Sequence, residues 1–520
     1  DGSVRIYALF GKPAQGDKFP VILLLPDGGK AYDTELMQFF ISRGYAVLMP
    51  DYSGKMSFDD ENVQRTVYPK SLEFANFETA KGLDDLDGLE VEESCWFEWL
   101  YVATYSIEYL KKREDVTSIG VVGIRMGGEI AWKAMLSPDL KCGVPVNAVG
   151  WRSYKDVNKF SDNAETNMSD AKHRYIAGVD SQSYASFVKC PVLMLCALRD
   201  ECYDPDRAYD TYCRIGVSEG SAISYSLNGG TCIGPKTLGN LDLFLGKHLK
   251  GREVFIPSAL NVSMKENGDT LEVTVDGDPE AILSELSVFY AEAELSTKSV
   301  FRDWHRVGFV DGKEVKDGKY VFTITPNSSQ AGAFVYVSAK YFNDFRIASK
   351  IIAKKITSEQ TMAKNKLLYA GEWLDAFCVA DNKEHSIGGI FLEREAMPKK
   401  ETGYGGIEGA YSVGGIKTYK ISSPTYLPEE NSLLKFDAYS KDGVNLIITV
   451  DVATSGKVEK FKCRVPVKAG GKWKRIILKA DDFKNENEGG IFSSFLEGKA
   501  LSFESENEED KFAITNIVWL

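Results

Sequence analysis

Between residues 19 and 250 the hydrophobic positions fall into two kinds of run that alternate along the chain. FPVILLLPDGG, from residue 19, is continuously apolar and ends in a glycine turn, as expected of a strand covered on both faces. TELMQFFISRG then has helical spacing, and YAVLMPDYSG repeats the buried-strand pattern. The long segment VEESCWFEWLYVATYSIEYLKKRED is amphipathic, with Trp96 and Leu100 four apart on what reads as a packing face. TSIGVVGI, VNAVGW and CPVLMLCAL read as further strands. A helix is expected from about Asp206 to Ile215, and AISYSLNGG with LGNLDLFLGKHLKG closes the series. Such alternation predicts a mostly parallel sheet with helices on both faces.

Near residue 251 the period changes from helical to strict alternation. NVSMKENGDTLEVTV is two alternating runs about an Asn-Gly turn, and VDGKEVKDGKYVFTIT suggests a second hairpin with Asp-Gly pairs. With VFYAEAEL and AFVYVSAKYF, residues 251–356 are expected to form a small all-β sandwich. From residue 357 to 520 strands recur between Gly-rich turns without helical period: SLLKFDAYS, VNLIITVDVA, KFKCRVPV, WKRIILKADDF, ALSFES and FAITNIVWL. This predicts a second, larger sandwich. The chain is therefore read as three domains, 1–250, 251–356 and 357–520, in keeping with its 520 residues.

Composition narrows the functions. A net charge of -13 argues against a nucleic-acid partner, which would need clustered Lys and Arg. No apolar run approaches the roughly 20 residues of a membrane span, and none is expected. The nine cysteines are odd in number and form no C-x-x-C pair, so they read as reduced, mostly buried thiols. DDLDGLEVEE has spacing reminiscent of a calcium loop but lacks its closing glutamate, and reads as solvated surface.

The chemistry-bearing motif is GVVGIRMGGEIAW, from residue 120. Together with LLLPDGGK, RGYAVLMPDYSG, KCPVLMLCALRDECYDPDRAYDTY and the FLGKHL helix, it makes residues 1–250 resemble the α/β-hydrolase superfamily, in its dienelactone-hydrolase and acetyl-xylan-esterase-like branch. The resemblance implies a nucleophile elbow of G-x-S-x-G form, an acid after a later strand and a histidine in the last loop. Here the elbow tip is Arg125, which has no nucleophilic oxygen or sulfur. The acid position maps to Asp200, and the base position to Thr231 or Cys232. Met126 matches the residue whose backbone N–H completes the oxyanion hole, and Asp27 with Gly28 matches the other oxyanion loop. A carboxylate at Asp27 opposes acyl chemistry, because negative charge would develop beside it. An arginine in a pocket must be paired, so Arg125 is expected to bridge to Asp200, Asp27 or both. Arg125 as a contact for a uronate or other carboxylate ligand is the sharper alternative.

FRDW, followed by AFVYVSAKYFNDFRIAS, makes residues 251–356 resemble the immunoglobulin-like domains of some esterase-like proteins, with Trp304 as a core or interdomain residue. GGKWKRIILKADDF and the terminal FAITNIVWL make the last domain resemble galactose-binding-like jelly rolls used as carbohydrate-binding modules, which implies Trp473 and Phe483 are core residues. Sugar recognition needs exposed aromatic faces, and Trp373, Tyr404, Tyr411, Tyr419 and Tyr439 are the candidates. No cofactor is expected, with room left for a structural calcium in the C-terminal sandwich. The expectation is a secreted or cell-surface, esterase-like pseudoenzyme whose partner is a polysaccharide or oligosaccharide. The competing readings are an active carbohydrate esterase with a non-standard nucleophile, and a structural scaffold that binds no glycan. The oligomeric state stays open.

Overall fold

A computed structural model describes residues 3–520 except 31, 56–64, 155–156, 162–167, 279–281, 312–318, 329–330, 358–363, 372–373, 381–383, 455–456 and 486–488. The first region is a seven-stranded sheet in the order β1-β3-β2-β4-β5-β6-β7, formed by β1 (Ala8–Gly11), β2 (Phe19–Leu25), β3 (Ala46–Pro50), β4 (Val116–Ile124), β5 (Leu140–Val146), β6 (Leu193–Ala197) and β7 (Ala222–Ser226). Only the edge strand β1 runs antiparallel to its neighbour among these pairings. The inner strands are buried along almost their whole length because helices cover both faces, which is why they read as unbroken apolar runs.

The covering helices are α1 (Thr34–Ile41), α2 (Cys95–Lys111), α3 (Met126–Ala134), α4 (Asp170–Gly178), α5 (Pro205–Tyr212) and α6 (Pro235–Lys250). In α2 the buried residues Trp96, Trp99, Ala103, Ile107 and Leu110 recur at helical spacing, while Tyr101, Tyr105 and Tyr109 line the exposed face. One strand differs from the sequence expectation. VNAVGW is not a strand: β5 ends at Val146, and Asn147, Gly150 and Trp151 have φ of 48°, 74° and 61°. Left-handed backbone cannot continue a sheet, so this segment becomes a loop at the strand's carboxyl end.

The second region is a sandwich of two sheets. One has the order β11-β10-β13-β14, with β15 also paired to β13; the other has the order β12-β9-β8. These strands are β8 (Asn261–Asn267), β9 (Thr270–Asp276), β10 (Leu283–Ala293), β11 (His305–Asp311), β12 (Lys319–Ile324), β13 (Gly332–Tyr341), β14 (Arg346–Ala348) and β15 (Ile352–Lys355). The Asn-Gly hairpin forms as expected, with Asn267 opposite Thr270. The second expected hairpin does not. β11 pairs with β10 and β12 pairs with β9, so the chain between them crosses from one sheet to the other. An Asp-Gly pair signals a turn locally but does not say which strand will be the partner.

The third region packs two larger sheets face to face. The first contains Lys399–Thr402, Glu408–Tyr411, Ala513–Trp519, Leu434–Tyr439 and Lys474–Leu478, with Leu367–Tyr369 added to Ala513–Trp519. The second contains Cys378–Val379, Ile416–Thr418, Gly498–Ser505, Val444–Thr454 and Lys457–Val467. Alternate residues such as Phe436 and Ala438, or Leu446, Ile448 and Val450, meet in the core between them. Phe483 is fully buried there, whereas Trp473 is half-buried at the sheet's edge and donates from Nε1 to the Tyr404 carbonyl. The core reading of Trp473 is thus corrected: its ring stands beside Tyr439 at the surface, with centroids 5.4 Å apart.

The regions share apolar contacts. Trp304 is buried against Tyr336 and joins Leu198 and Leu227 of the first region in one cluster, so it is an interdomain residue. Arg302, fully buried, makes a two-pronged ion pair with Asp206 of α5 at 2.6 and 2.7 Å. Arg199 donates to the carbonyls of Val300 and Arg302, both at 2.7 Å, and lies over the Tyr419 ring, so one side chain ties all three regions together. Among the described residues, no helix is long and apolar enough to cross a membrane.

Candidate functional site at the carboxyl edge of the parallel sheet

The loops after β2, β4, β5, β6 and β7 all emerge at one edge of the sheet, where open α/β folds hold their ligands. The turn from β4 into α3 is tight. A Cβ on Gly123 would stand 2.3 Å from the Gly127 carbonyl oxygen, one on Gly127 would stand 2.0 Å from that of Leu25, and one on Gly128 would stand 2.4 Å from the Ala148 Cβ. Only glycine fits at these places. The tip residue, Arg125, has φ 48° and ψ −112°, a backbone state that costs a non-glycine residue about 1–3 kcal/mol. Its N–H donates to the Val146 carbonyl at 2.8 Å, and the packed glycines hold the turn closed. This is the geometry of a nucleophile elbow with an arginine at its tip.

Arg125 is held on two sides by carboxylates. Its Nε donates to Asp200 Oδ2 at 3.1 Å, and its Nη1 stands 3.7 Å from Asp27 Oδ2. Burial opposes the guanidinium's charge, but Asp200 and Asp27 outweigh burial and hold its pKa above the ordinary value. Asp200, 2% exposed, follows β6 and accepts two further hydrogen bonds, from Asn147 Nδ2 at 2.9 Å and the Cys202 N–H at 2.9 Å. Burial raises its pKa above the usual carboxylate range, with Arg125 pulling the other way. The Asp27 loop is braced from below: Tyr52 donates to the Pro26 carbonyl at 2.6 Å and Ser53 to the Gly28 carbonyl at 2.7 Å.

The base position is occupied differently. Asn147 donates to the Thr231 carbonyl at 3.0 Å as well as to Asp200, so a side-chain amide latches the Thr231 loop to Asp200. Cys232 is completely buried; burial pushes its thiol up to about 11, and its Sγ faces the Gly389 carbonyl at 3.5 Å. What covers it is a hairpin of the third region, Ser386–Ile387 paired with Phe391–Leu392 around a Gly388–Gly389 turn. That hairpin adds backbone hydrogen bonds to Ile233 on both sides, from the Ile233 N–H to the Ile390 carbonyl and from the Leu392 N–H to the Ile233 carbonyl. Phe391 stacks on Phe39 of α1 with centroids 5.2 Å apart.

A cavity of about 300 Å³ opens above Arg125, Asp27 and Asp200, walled by Trp151, Arg152 and, from the second region, Val300. Arg152 is paired with Asp84 at 2.6 Å and lies over the Trp96 ring. Beneath it is a buried group of charges. Asp180 accepts from the Arg152 N–H at 3.0 Å, Glu129 accepts from the Gly150 N–H at 3.1 Å, and Lys133 donates to the Glu129 carbonyl. Burial raises Asp180 to about 6 and lowers Lys133 to about 8.

No histidine lines this cavity among the described residues. His173 lies in α4, and His248 lies in α6, where burial pushes its pKa down to about 4. His305 opens β11 and His385 stands 3.7 Å from Glu508. Exposed Cys202 also lines the cavity, without an imidazole to take its proton. The elbow tip carries no nucleophilic oxygen or sulfur and, among the described residues, no imidazole lines the cavity; its paired charges can neutralise or recognise charge.

Residues 6–212 match the dienelactone hydrolase family. The first region is thus an esterase-like α/β-hydrolase fold, and the match stops short of β7 and of both sandwiches. Similar solved structures include an acetyl xylan esterase from Paenibacillus sp. R4, at 20% identity over 44% of this chain and 74% of that one, with a TM-score of 0.32. Est1E from Butyrivibrio proteoclasticus with ferulic acid bound is 14% identical over 44% and 88%, with a TM-score of 0.32. Acetyl xylan esterase 1 from Thermoanaerobacterium sp. JW/SL YS485 is 18% identical over 46% and 77%, with a TM-score of 0.34. No curated protein matches the chain.

The structure brings Asp27, Gly28, Arg125, Met126, Asp200 and Thr231 to one edge, with Cys232 behind them. The aromatic candidates of the third region separate. Tyr411 is 1% exposed and Tyr419 5%, the latter beneath Arg199, so neither offers a ring face to solvent and both are corrected to packing residues. Tyr404 is 58% exposed, Tyr439 is half-buried, and Trp373 lies outside the described residues. Asn147 and the 386–392 hairpin were missed in the sequence. A Gly-Gly pair between Ile387 and Phe391 does signal a hairpin, but nothing local points it at Ile233.

Proposed function

We propose that this is a non-catalytic, esterase-like protein of three domains, 1–250, 251–356 and 357–520, that positions itself on polysaccharide outside the cell or at its surface. The observation that carries the first half is the state of both catalytic positions. The elbow tip is an arginine clamped between Asp200 and Asp27, and the base position is sealed by a hairpin from another region. Restoring chemistry would require a new nucleophile, a new base and removal of that hairpin. The second half is supported by the surface where exposed Tyr404 stands beside the half-buried Tyr439 and Trp473, an aromatic platform of the kind sugars stack on.

Two measurements on the intact chain test this reading. Turnover of p-nitrophenyl acetate is expected at the buffer rate, with no labelling by a fluorophosphonate probe. Turnover that disappears in Cys202→Ala, or covalent labelling of the first domain, would make the protein an esterase with a relocated nucleophile. Sedimentation with insoluble xylan, cellulose or pectate is expected for the wild type and is expected to fall at least tenfold in Tyr404→Ala/Tyr439→Ala. Failure to sediment with any of them would leave a scaffold without glycan binding.

A further inference from the structure

A second cleft, of about 720 Å³, lies where the three regions meet, beside Tyr225 and Ser226 of β7. That volume is in the range of small-ligand sites, roughly 300–1,000 Å³. Its floor is one face of the sheet formed by β10, β11 and β13. Strand alternation turns Leu286, Val288 and Tyr290 into the sandwich core and leaves Glu285, Ser287 and Phe289 on the opposite face. Across the strands, Phe289 sits opposite Tyr336 and Ser287 opposite Ser338, and the two rings stack 4.8 Å apart at 8°. Tyr336 is only 2% exposed and Ser287 is buried, so the floor presents the half-buried Phe289 ring, backed by Tyr336, near the half-buried Ser338.

The rim is cationic in a protein whose net charge is -13. Arg346 is neutralised by Glu285 at 3.1 Å, and Arg306 by Asp375 at 3.4 Å. Lys236, from the start of α6, and Arg394, from the third region, also line the cleft, and among the described residues neither makes an ion pair. Both are exposed. The cleft thus holds two paired cations, two unpaired ones, a hydroxyl and an aromatic ring within one small volume, contributed by all three regions.

We propose that this cleft binds an acidic saccharide, with its carboxylates on Lys236 and Arg394 and a sugar face against the Phe289 ring. A neutral sugar would leave the two cations unused, and a bare inorganic anion would leave the Phe289 ring and the Ser338 hydroxyl unused. The site stands independently of polysaccharide binding at Tyr404, because none of its residues belongs to that surface.

The test is isothermal titration of the intact chain with tri-galacturonate, xylotriose and inorganic phosphate. Tri-galacturonate is expected to bind at least tenfold more tightly than either of the others. Lys236→Met/Arg394→Met is expected to weaken it at least tenfold, and Phe289→Leu, which keeps an apolar residue in the strand, severalfold. Tyr404→Ala/Tyr439→Ala is expected to leave it unchanged. Absence of heat with tri-galacturonate, equal binding of xylotriose or phosphate, or binding that survives Lys236→Met/Arg394→Met would overturn the assignment. A loss confined to Tyr404→Ala/Tyr439→Ala would overturn it as well, placing the ligand on the third-region surface instead.

Discussion

The cavity above the elbow and the cleft at the three-region junction both contain arginines, but they treat them in opposite ways. At the elbow both arginines are answered from within: Arg125 by Asp200 and Asp27, Arg152 by Asp84. At the junction Arg346 and Arg306 are answered and Lys236 and Arg394 are not. A buried charge needs its partner for the fold to exist, whereas a rim charge in water needs none and remains available to a ligand. The comparison teaches that the arginine at the elbow tip is an internal strut, whereas Lys236 and Arg394 at the junction are left for a ligand.

The largest effect expected is at the strut between regions. Arg302→Ala removes the partner of buried Asp206 and is expected to cost about 3–5 kcal/mol in urea unfolding, since it leaves an uncompensated buried carboxylate. A loss below about 1 kcal/mol would mean that the regions do not depend on this pair. Arg125→Met is expected to cost less, about 2 kcal/mol, because the guanidinium is 18% exposed and part of its field is already screened. Asp200, raised by burial and now without its cation, should make this variant's stability fall as pH rises above the ordinary carboxylate range. A pH-independent loss would argue against Asp200 as the paired group.

Below the elbow cavity, Asp180 supplies a signed pH test. Its folded pKa of about 6 lies above the ordinary value of 3.8, so between those values the folded chain holds a proton that the unfolded chain has lost. Stability contributed by this group therefore rises as pH is lowered from about 6 to about 4, on the order of 1–3 kcal/mol, and Asp180→Asn should flatten that slope. An unchanged slope would place the titration elsewhere. The smallest effect is expected at the junction rim: Lys236→Met/Arg394→Met should change unfolding free energy by no more than about 0.5 kcal/mol. A large loss there would turn the rim cations into struts and erase the contrast with Arg125.

Much of the first region was readable because its signals are local. The glycines at 123, 127 and 128 announce the elbow, since no other residue fits those contacts, and the apolar runs announce strands covered on both faces. Asp200 was placed by its position directly after a buried strand. The failures were non-local. β11 and β12 looked like hairpin partners yet joined different sheets, and VNAVGW looked like a strand yet left the sheet at Asn147 to latch two loops. Tyr411 and Tyr419 could not be told from Tyr404 in sequence: Tyr411 is buried in its own region's core against Phe512, and Tyr419 lies beneath Arg199 of the first region.

The amino-acid order by itself determined that the first region would be built around an elbow, that its tip would be an arginine, and that no histidine would follow at the base position. Each of those depends on a few neighbouring residues. Tertiary structure alone decided that Arg125 would be shared between Asp200 and Asp27, that a hairpin starting more than 150 residues after Cys232 would seal it, and that Lys236, Phe289 and Arg394 would face one cleft. Those are encounters between distant segments, and their free energy comes from burial and pairing that exist only once the regions have folded and packed.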